Sequence, residues 1–191
     1  MNKIVLILTC YLLIGCEVSK KTIELSQSST EYPVIIRLSK KFKKVISIKL
    51  PLKVDLINNS NKDEEFIKIK YNYNSIPIGR DYGIMLFEYK EKSISRTSNN
   101  SKKEVLSYNN KEYLIYSRHF VDSTKSIQQQ FKPYVAKMLA ENKDTLHIGR
   151  VTEFKKNHAA LFKKLTKGDS ISIQFLDDGK FGERVTVPVE W

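Results

Sequence analysis

Thiols are nearly absent from this chain. Its 191 residues hold two cysteines, Cys10 and Cys16, both within the first sixteen positions. Everything that follows them must fold without a disulfide, without a thiolate metal site and without a thiol nucleophile. Histidine is scarce too, with His119, His147 and His158 only. No two of them stand four apart, so no helix carries the paired histidines of a zinc site. There is no G-x-S-x-G and no P-loop. The turn "DDGKFGE" has three acidic side chains but lacks the alternating oxygen ligands and the length of a calcium loop. The acidic run Asp63-Glu64-Glu65 falls in the turn cluster "NNSNKDEE", where solvation explains it. No residue stands out as catalytic, and no motif calls for a cofactor or metal.

Long apolar runs are also missing. The longest, Ile4 to Ile14, is too short for a helix crossing a bilayer, which needs about 20 residues. Behind the single charge of Lys3 it has the length of a secretory h-region, and a polar stretch follows at once. The run ends in Leu13-Ile14-Gly15-Cys16. These four residues resemble the lipobox of bacterial lipoproteins: an aliphatic residue, a small or aliphatic one, a small one, then cysteine. The resemblance covers only the first sixteen residues. It implies a signal peptide over 1–15, cleavage between Gly15 and Cys16, and acyl chains on Cys16 as the membrane anchor. Two or three acyl chains hold durably where one binds marginally, because each buried methylene contributes about 0.8 kcal/mol. It further implies a cell-envelope address. The outer membrane is preferred because no aspartate follows Cys16; the side stays open.

The formal charge is +12, and it falls to +11 with removal of 1–15, where Lys3 is the only charge. A basic balance suits anionic surfaces, whether nucleic acid, anionic lipid or acidic glycan. For an exported lipoprotein nucleic acid is set aside, which leaves an envelope protein or an anionic glycan as partner. AT-rich codon usage produces the same abundance of Lys, Asn, Ile and Tyr without any such role.

Residues 16–30 read as a polar, flexible tether, and 31–191 as one β-rich domain. In "VISIKLPLKVDLI" the residues Ile46, Ile48, Leu50, Leu52, Val54 and Leu56 take every second position, as in a strand with one buried face. Pro51 interrupts the ladder and calls for an edge or a bulge. Ile67, Ile69, Tyr71 and Tyr73 alternate in the same way, and the two runs read as an antiparallel pair. Further strands are expected at 82–89 and 112–121. Helical spacing then takes over near 127–142, with Pro133 either kinking a helix or opening one. A second helix is expected near 153–166, with Phe154, His158, Leu161, Phe162 and Leu165 on one face and Gly168 as its cap. "SISIQFL" and "RVTVPVEW" make a closing hairpin through Asp178-Gly179.

This order predicts a mainly β fold, an antiparallel sandwich with a two-helix insertion. The strand–loop–strand pattern over 45–74 resembles immunoglobulin-like domains of envelope proteins, although their Cys…Trp…Cys framework is absent. The alternative is an α+β domain with one antiparallel sheet covered by the two helices.

Candidate binding residues come in two groups. Lys155, Lys156, Lys163 and Lys164 form a basic helix face suited to an anionic surface, or are merely solvated while the apolar face packs on the sheet. Arg80, Asp81 and Tyr82 occupy a glycine-bounded turn, either a recognition loop or a plain connection. Tyr71, Tyr73, Tyr113 and Tyr116 read as a sugar platform or, more simply, as strand packing. Three functions fit: a non-enzymatic binding module, a lipid-anchored hydrolase of envelope polymers using His119 or His158, and an inhibitor or immunity-type lipoprotein.

Overall fold

The structure is a computed structural model that describes residues 23–74, 83–90 and 93–191. Gly15, Cys16, Arg80, Asp81 and Tyr82 lie outside the described residues. The elements in chain order are β1 (Ile23–Ser28), β2 (Ile35–Ser39), β3 (Lys44–Asn58), β4 (Glu64–Asn72), β5 (Met85–Lys90), β6 (Ser93–Thr97), β7 (Lys103–Val105) and β8 (Asn110–Phe120). There follow α1 (Lys125–Gln130), α2 (Lys132–Ala140), β9 (Thr145–His147), α3 (Val151–Asn157), α4 (Ala159–Thr166), β10 (Ser170–Asp177) and β11 (Lys180–Pro188).

Two antiparallel sheets make a sandwich-like fold. The first runs β6-β5-β8-β3-β2-β9, with β1 also on β3; the second runs β11-β10-β4-β7. The helices form an insertion between β8 and β10, in keeping with the expected sandwich. Strand β3 organises the whole. Leu52, Val54 and Leu56 are buried against Phe66, Ile69, Ile171 and Ile173 of the second sheet. Ile48 and Leu50, on the same face, are buried against Phe131, Phe154, Phe162 and Leu165 of the insertion. One apolar stripe thus has two covers, a sheet over one half and helices over the other.

Several expectations are corrected. The runs at β3 and β4 are not a pair: β3 pairs with β8, β2 and β1, whereas β4 pairs with β10 and β7. The loop 59–63 passes from one sheet to the other instead of closing a hairpin. Residues 23–28 are not tether but strand β1, in register with Lys53–Asn58. Gln27 ties β1 to the other sheet's end: its Nε2 donates to the Pro188 carbonyl at 2.8 Å, and its Oε1 accepts from Glu190 N at 3.3 Å.

Pro51 is neither at an outer edge of the sheet nor bulged. It stands opposite Tyr116 of β8, but β2 reaches only to Lys49 and β1 only to Lys53. Among the described residues, 50–52 have no strand on that side. The proline sits at a local gap, which its missing N–H tolerates.

Of the two alternatives at Pro133, the structure has the proline opening a helix, after a short separate one, and the helix expected near 153–166 is also two. Pro133 in a continuous helix would clash with the carbonyl of residue 129, so the helix restarts at Lys132 and holds Pro133 in its first turn. The second breaks at His158, whose φ of −132° is non-helical. The break lets its ring lie over Phe131, with centroids 5.5 Å apart and planes 18° apart. The closing hairpin forms as read, with Asp178 and Gly179 both at positive φ (47° and 76°), the backbone that a two-residue turn requires.

Candidate binding face

The buried side of the molecule removes one set of candidates. His119 points into the seam between the two halves of the core and is 2 % exposed. Its Nδ1 meets the Leu165 carbonyl at 3.2 Å and its Nε2 meets Ser117 Oγ at 3.0 Å. With a carbonyl on Nδ1, that nitrogen carries the proton, and the one Ser117 O–H is shared between Nε2 and the Leu50 carbonyl at 3.3 Å. Asp169 Oδ2 lies 4.0 Å from Nδ1 and accepts from Tyr71 Oη at 2.9 Å, while Oδ1 accepts from Asn74 N at 2.8 Å. Ser117, His119 and Asp169 have the residue types of a hydrolytic triad. All three are buried, and the imidazole's proton is aimed at a backbone carbonyl rather than at the carboxylate. Burial pushes His119 down to about 4 and raises Asp169. The group joins β4, β8, α4 and the start of β10.

His158 lies half-buried between Phe131 and Phe154, and its Nδ1 meets Gln130 Oε1 at 3.1 Å. This is packing at the core's edge. The four tyrosines of the sugar-platform reading, Tyr71, Tyr73, Tyr113 and Tyr116, are all buried. They are core, not platform.

The basic helix face is split. Lys155 donates to the Trp191 carbonyl and lies 5.8 Å over the Phe162 ring. Lys164 stands 3.5 Å from Asp122, and Lys156 and Lys163 are exposed. The apolar face beneath them, Phe154, Leu161, Phe162 and Leu165, is buried in the core. The solvated-face reading fits Lys156 and Lys163, whereas Lys155 and Lys164 are engaged within the protein.

A stronger face forms elsewhere. The turn between β2 and β3, residues 40–43, lifts Phe42 into solvent at 63 % exposure. Lys40, Lys41, Lys43 and Lys44 flank it, with Lys41 Nζ 5.5 Å from the Phe42 ring centroid. Lys43 takes a positive φ of 49° to close the turn. The start of the helical insertion completes the wall with Lys125, Gln128 and Lys132 around a depression of about 340 Å³. Its lining contains no carboxylate. Gln128 fixes the wall to the turn: its Oε1 accepts from Val45 N at 3.0 Å and its Nε2 donates to the Val45 carbonyl at 2.9 Å. The Lys44 ammonium donates to the Ser123 carbonyl at 3.2 Å. An exposed aromatic ring ringed by cations suits an anionic partner with some apolar surface.

The sequence contains this turn as "SKKFKK" at 39–44. A lone aromatic inside a lysine run is the legible signal. The other half of the wall comes from residues about eighty positions later, which no local pattern connects.

The chain matches no family model, no curated protein and no solved structure.

Proposed function

We propose that the protein is a lipoprotein anchored through Cys16 to the cell envelope, preferably at the outer membrane, and that it is a non-enzymatic module binding an anionic glycan. The lipobox-like Leu13-Ile14-Gly15-Cys16 supports the anchor. The Phe42-centred face carries the binding reading, because it unites exposed apolar area with uncompensated positive charge. His119 is buried and His158 is half-buried against Phe131 and Phe154, and this packing supports a binding role over a hydrolytic one.

Two measurements test this. Intact mass of the membrane fraction should show a species lacking residues 1–15 and carrying acyl mass, lost in Cys16→Ala. Retention of Met1 without acyl mass would refute the anchor. For the face, the full chain is titrated with an acidic polysaccharide across a salt series. Binding should weaken with salt, and the double variant Lys41→Glu/Lys43→Glu should lose at least tenfold in affinity. Equal affinity for a neutral polysaccharide would end the anionic-glycan reading.

A further inference from the structure

Far from Phe42, the two sheets part at an edge. Glu88 of β5 stands opposite Tyr113 of β8, and Lys103 of β7 stands opposite Phe66 of β4. Directly opposed residues share a face. Tyr113 and Phe66 belong to the core, so Glu88 and Lys103 are turned inward too. Lys111, two residues before Tyr113, shares that face. Glu88, Lys103, Lys111 and Tyr113 line a cleft of about 540 Å³, with Glu65 and Lys102 paired at its rim.

The polar groups inside are unevenly satisfied. Glu88 is paired with Lys111 at 2.9 Å. Lys103 is 8 % exposed, and its ammonium donates to the Ile67 carbonyl at 2.8 Å and the Ser101 carbonyl at 2.6 Å. An ammonium has three N–H groups, so one remains. Tyr113 is fully buried, and its hydroxyl has no hydrogen-bond partner. A buried hydroxyl left alone is costly, and native proteins rarely keep one without a reason. The cleft therefore holds two donors with hydrogen-bonding capacity left, the Tyr113 hydroxyl and the Lys103 ammonium, which also lies 5.4 Å from the Phe66 ring centroid. Of the three carboxylates in its lining, Glu88 and Glu65 are paired with Lys111 and Lys102, and Glu104 is exposed.

We propose that this cleft binds a small carboxylate, whose oxygens accept from the Lys103 ammonium and the Tyr113 hydroxyl. The planar, two-oxygen anion suits one charged and one neutral donor. Burial pulls Lys103 down to about 8, so at neutral pH it is still largely cationic and a bound anion would restore its usual affinity for the proton. The same chemistry is presented by a free small acid and by the C-terminus of a peptide. The site is independent of the Phe42 face and of the anchor.

The test is an NMR titration of the full chain with tyrosine ring labels, using acetate, alanyl-alanine and the uncharged acetamide. Saturable shifts of the Tyr113 ring with a carboxylate, and none with acetamide, are expected. Tighter acetate would identify free acids as the ligand source; tighter alanyl-alanine would identify a peptide terminus. Tyr113→Phe should weaken binding at least tenfold with melting temperature unchanged or raised, and Phe42→Ala should leave it alone. Lys103→Met, if folded, should abolish it. Equal responses to acetate and acetamide, no saturation with either carboxylate, or unchanged binding by Tyr113→Phe would overturn the proposal.

Discussion

His119 is the residue on which both halves of the core meet. Its ring packs edge-on against Tyr71 and Tyr73, with centroids 5.8 and 5.2 Å away. Such a histidine folds neutral, and burial holds it near 4 against an unfolded value of 6.5. Between those two values the unfolded chain binds a proton that the folded chain refuses. Stability therefore falls as pH drops from 6.5 to about 4, by roughly 3 kcal/mol in all. Asp169 acts in the opposite sense. Burial raises it, so the stability it contributes is present at low pH and lost as pH rises through its folded value. Asp169 is present in both wild type and His119→Gln, so their difference isolates the histidine. Thermal unfolding at pH 4, 5, 6 and 7 should show wild type losing on the order of 10 °C relative to the variant on acidification. Parallel profiles would mean the ring titrates alike in both states. In the sequence His119 looks like one of three scattered histidines. Its burial depends on Tyr71 of β4, on Tyr73 and on Leu165 of α4, all more than forty residues away in the chain.

At the scale of elements, alternation reads strands well and misreads their phase at bulges. Ile46 continues the even-numbered stripe in the sequence, yet Val45 is buried and Ile46 is not. The pairing explains it: Arg37 faces Ser47 and Leu38 faces Val45, so Ile46 is an extra residue. Ile67 repeats the case, because Lys68 faces Gln174 and Phe66 faces Phe175. Phe66, not Ile67, enters the core. A bulge is a relation between two strands, so a single strand's sequence cannot announce it. The pairing of β3 with β4 misleads for a related reason. A short polar loop fits a hairpin, but it fits a crossing between sheets as well. Gly168 shows the legible side. It follows α4 with a φ of +78°, as a helix-stopping glycine should. A Cβ there would stand 2.7 Å from Asn74 Nδ2, whose backbone N–H is the one held by Asp169. Gly179 has a similar φ of +76° but open space around it. Gly179→Ala should cost about 1 kcal/mol from backbone strain alone. Gly168→Ala should cost about 2–3 kcal/mol because the Asn74 contact must also give. Denaturant midpoints of the two variants decide this, and equal losses would show that Asn74 moves freely.

At the scale of the whole molecule, the long strand β3 sets a direction. Ile23 pairs with Asn58 at one end of β3, and the Phe42 turn adjoins Lys44 at the other. Fifteen residues of strand put these ends roughly 45 Å apart. The chain from Cys16 to Ile23 reaches about 25 Å at full extension. A protein anchored at Cys16 and standing on that link therefore presents the Lys40–Lys44 turn away from its own membrane, toward whatever the envelope places opposite. The nearly thiol-free sequence makes this directly measurable, because a cysteine placed in the folded body has no competitor once Cys16 is acylated. Lys41→Cys and Glu24→Cys are labelled with an environment-sensitive fluorophore on the lipidated protein in vesicles, and lipids with quenchers near the headgroup are added. The label at residue 24 should be quenched and the label at residue 41 should not. Quenching at residue 41 would mean that the domain lies down and that its lysines serve the anchoring bilayer. With residue 41 unquenched, a change in its label's emission that appears only on addition of an acidic polysaccharide would place the ligand across the gap. The fold then serves as a spacer as much as a scaffold. Its longest strand runs from the end that pairs with Ile23 to the basic tip, and its apolar stripe is covered by the second sheet and by the helices.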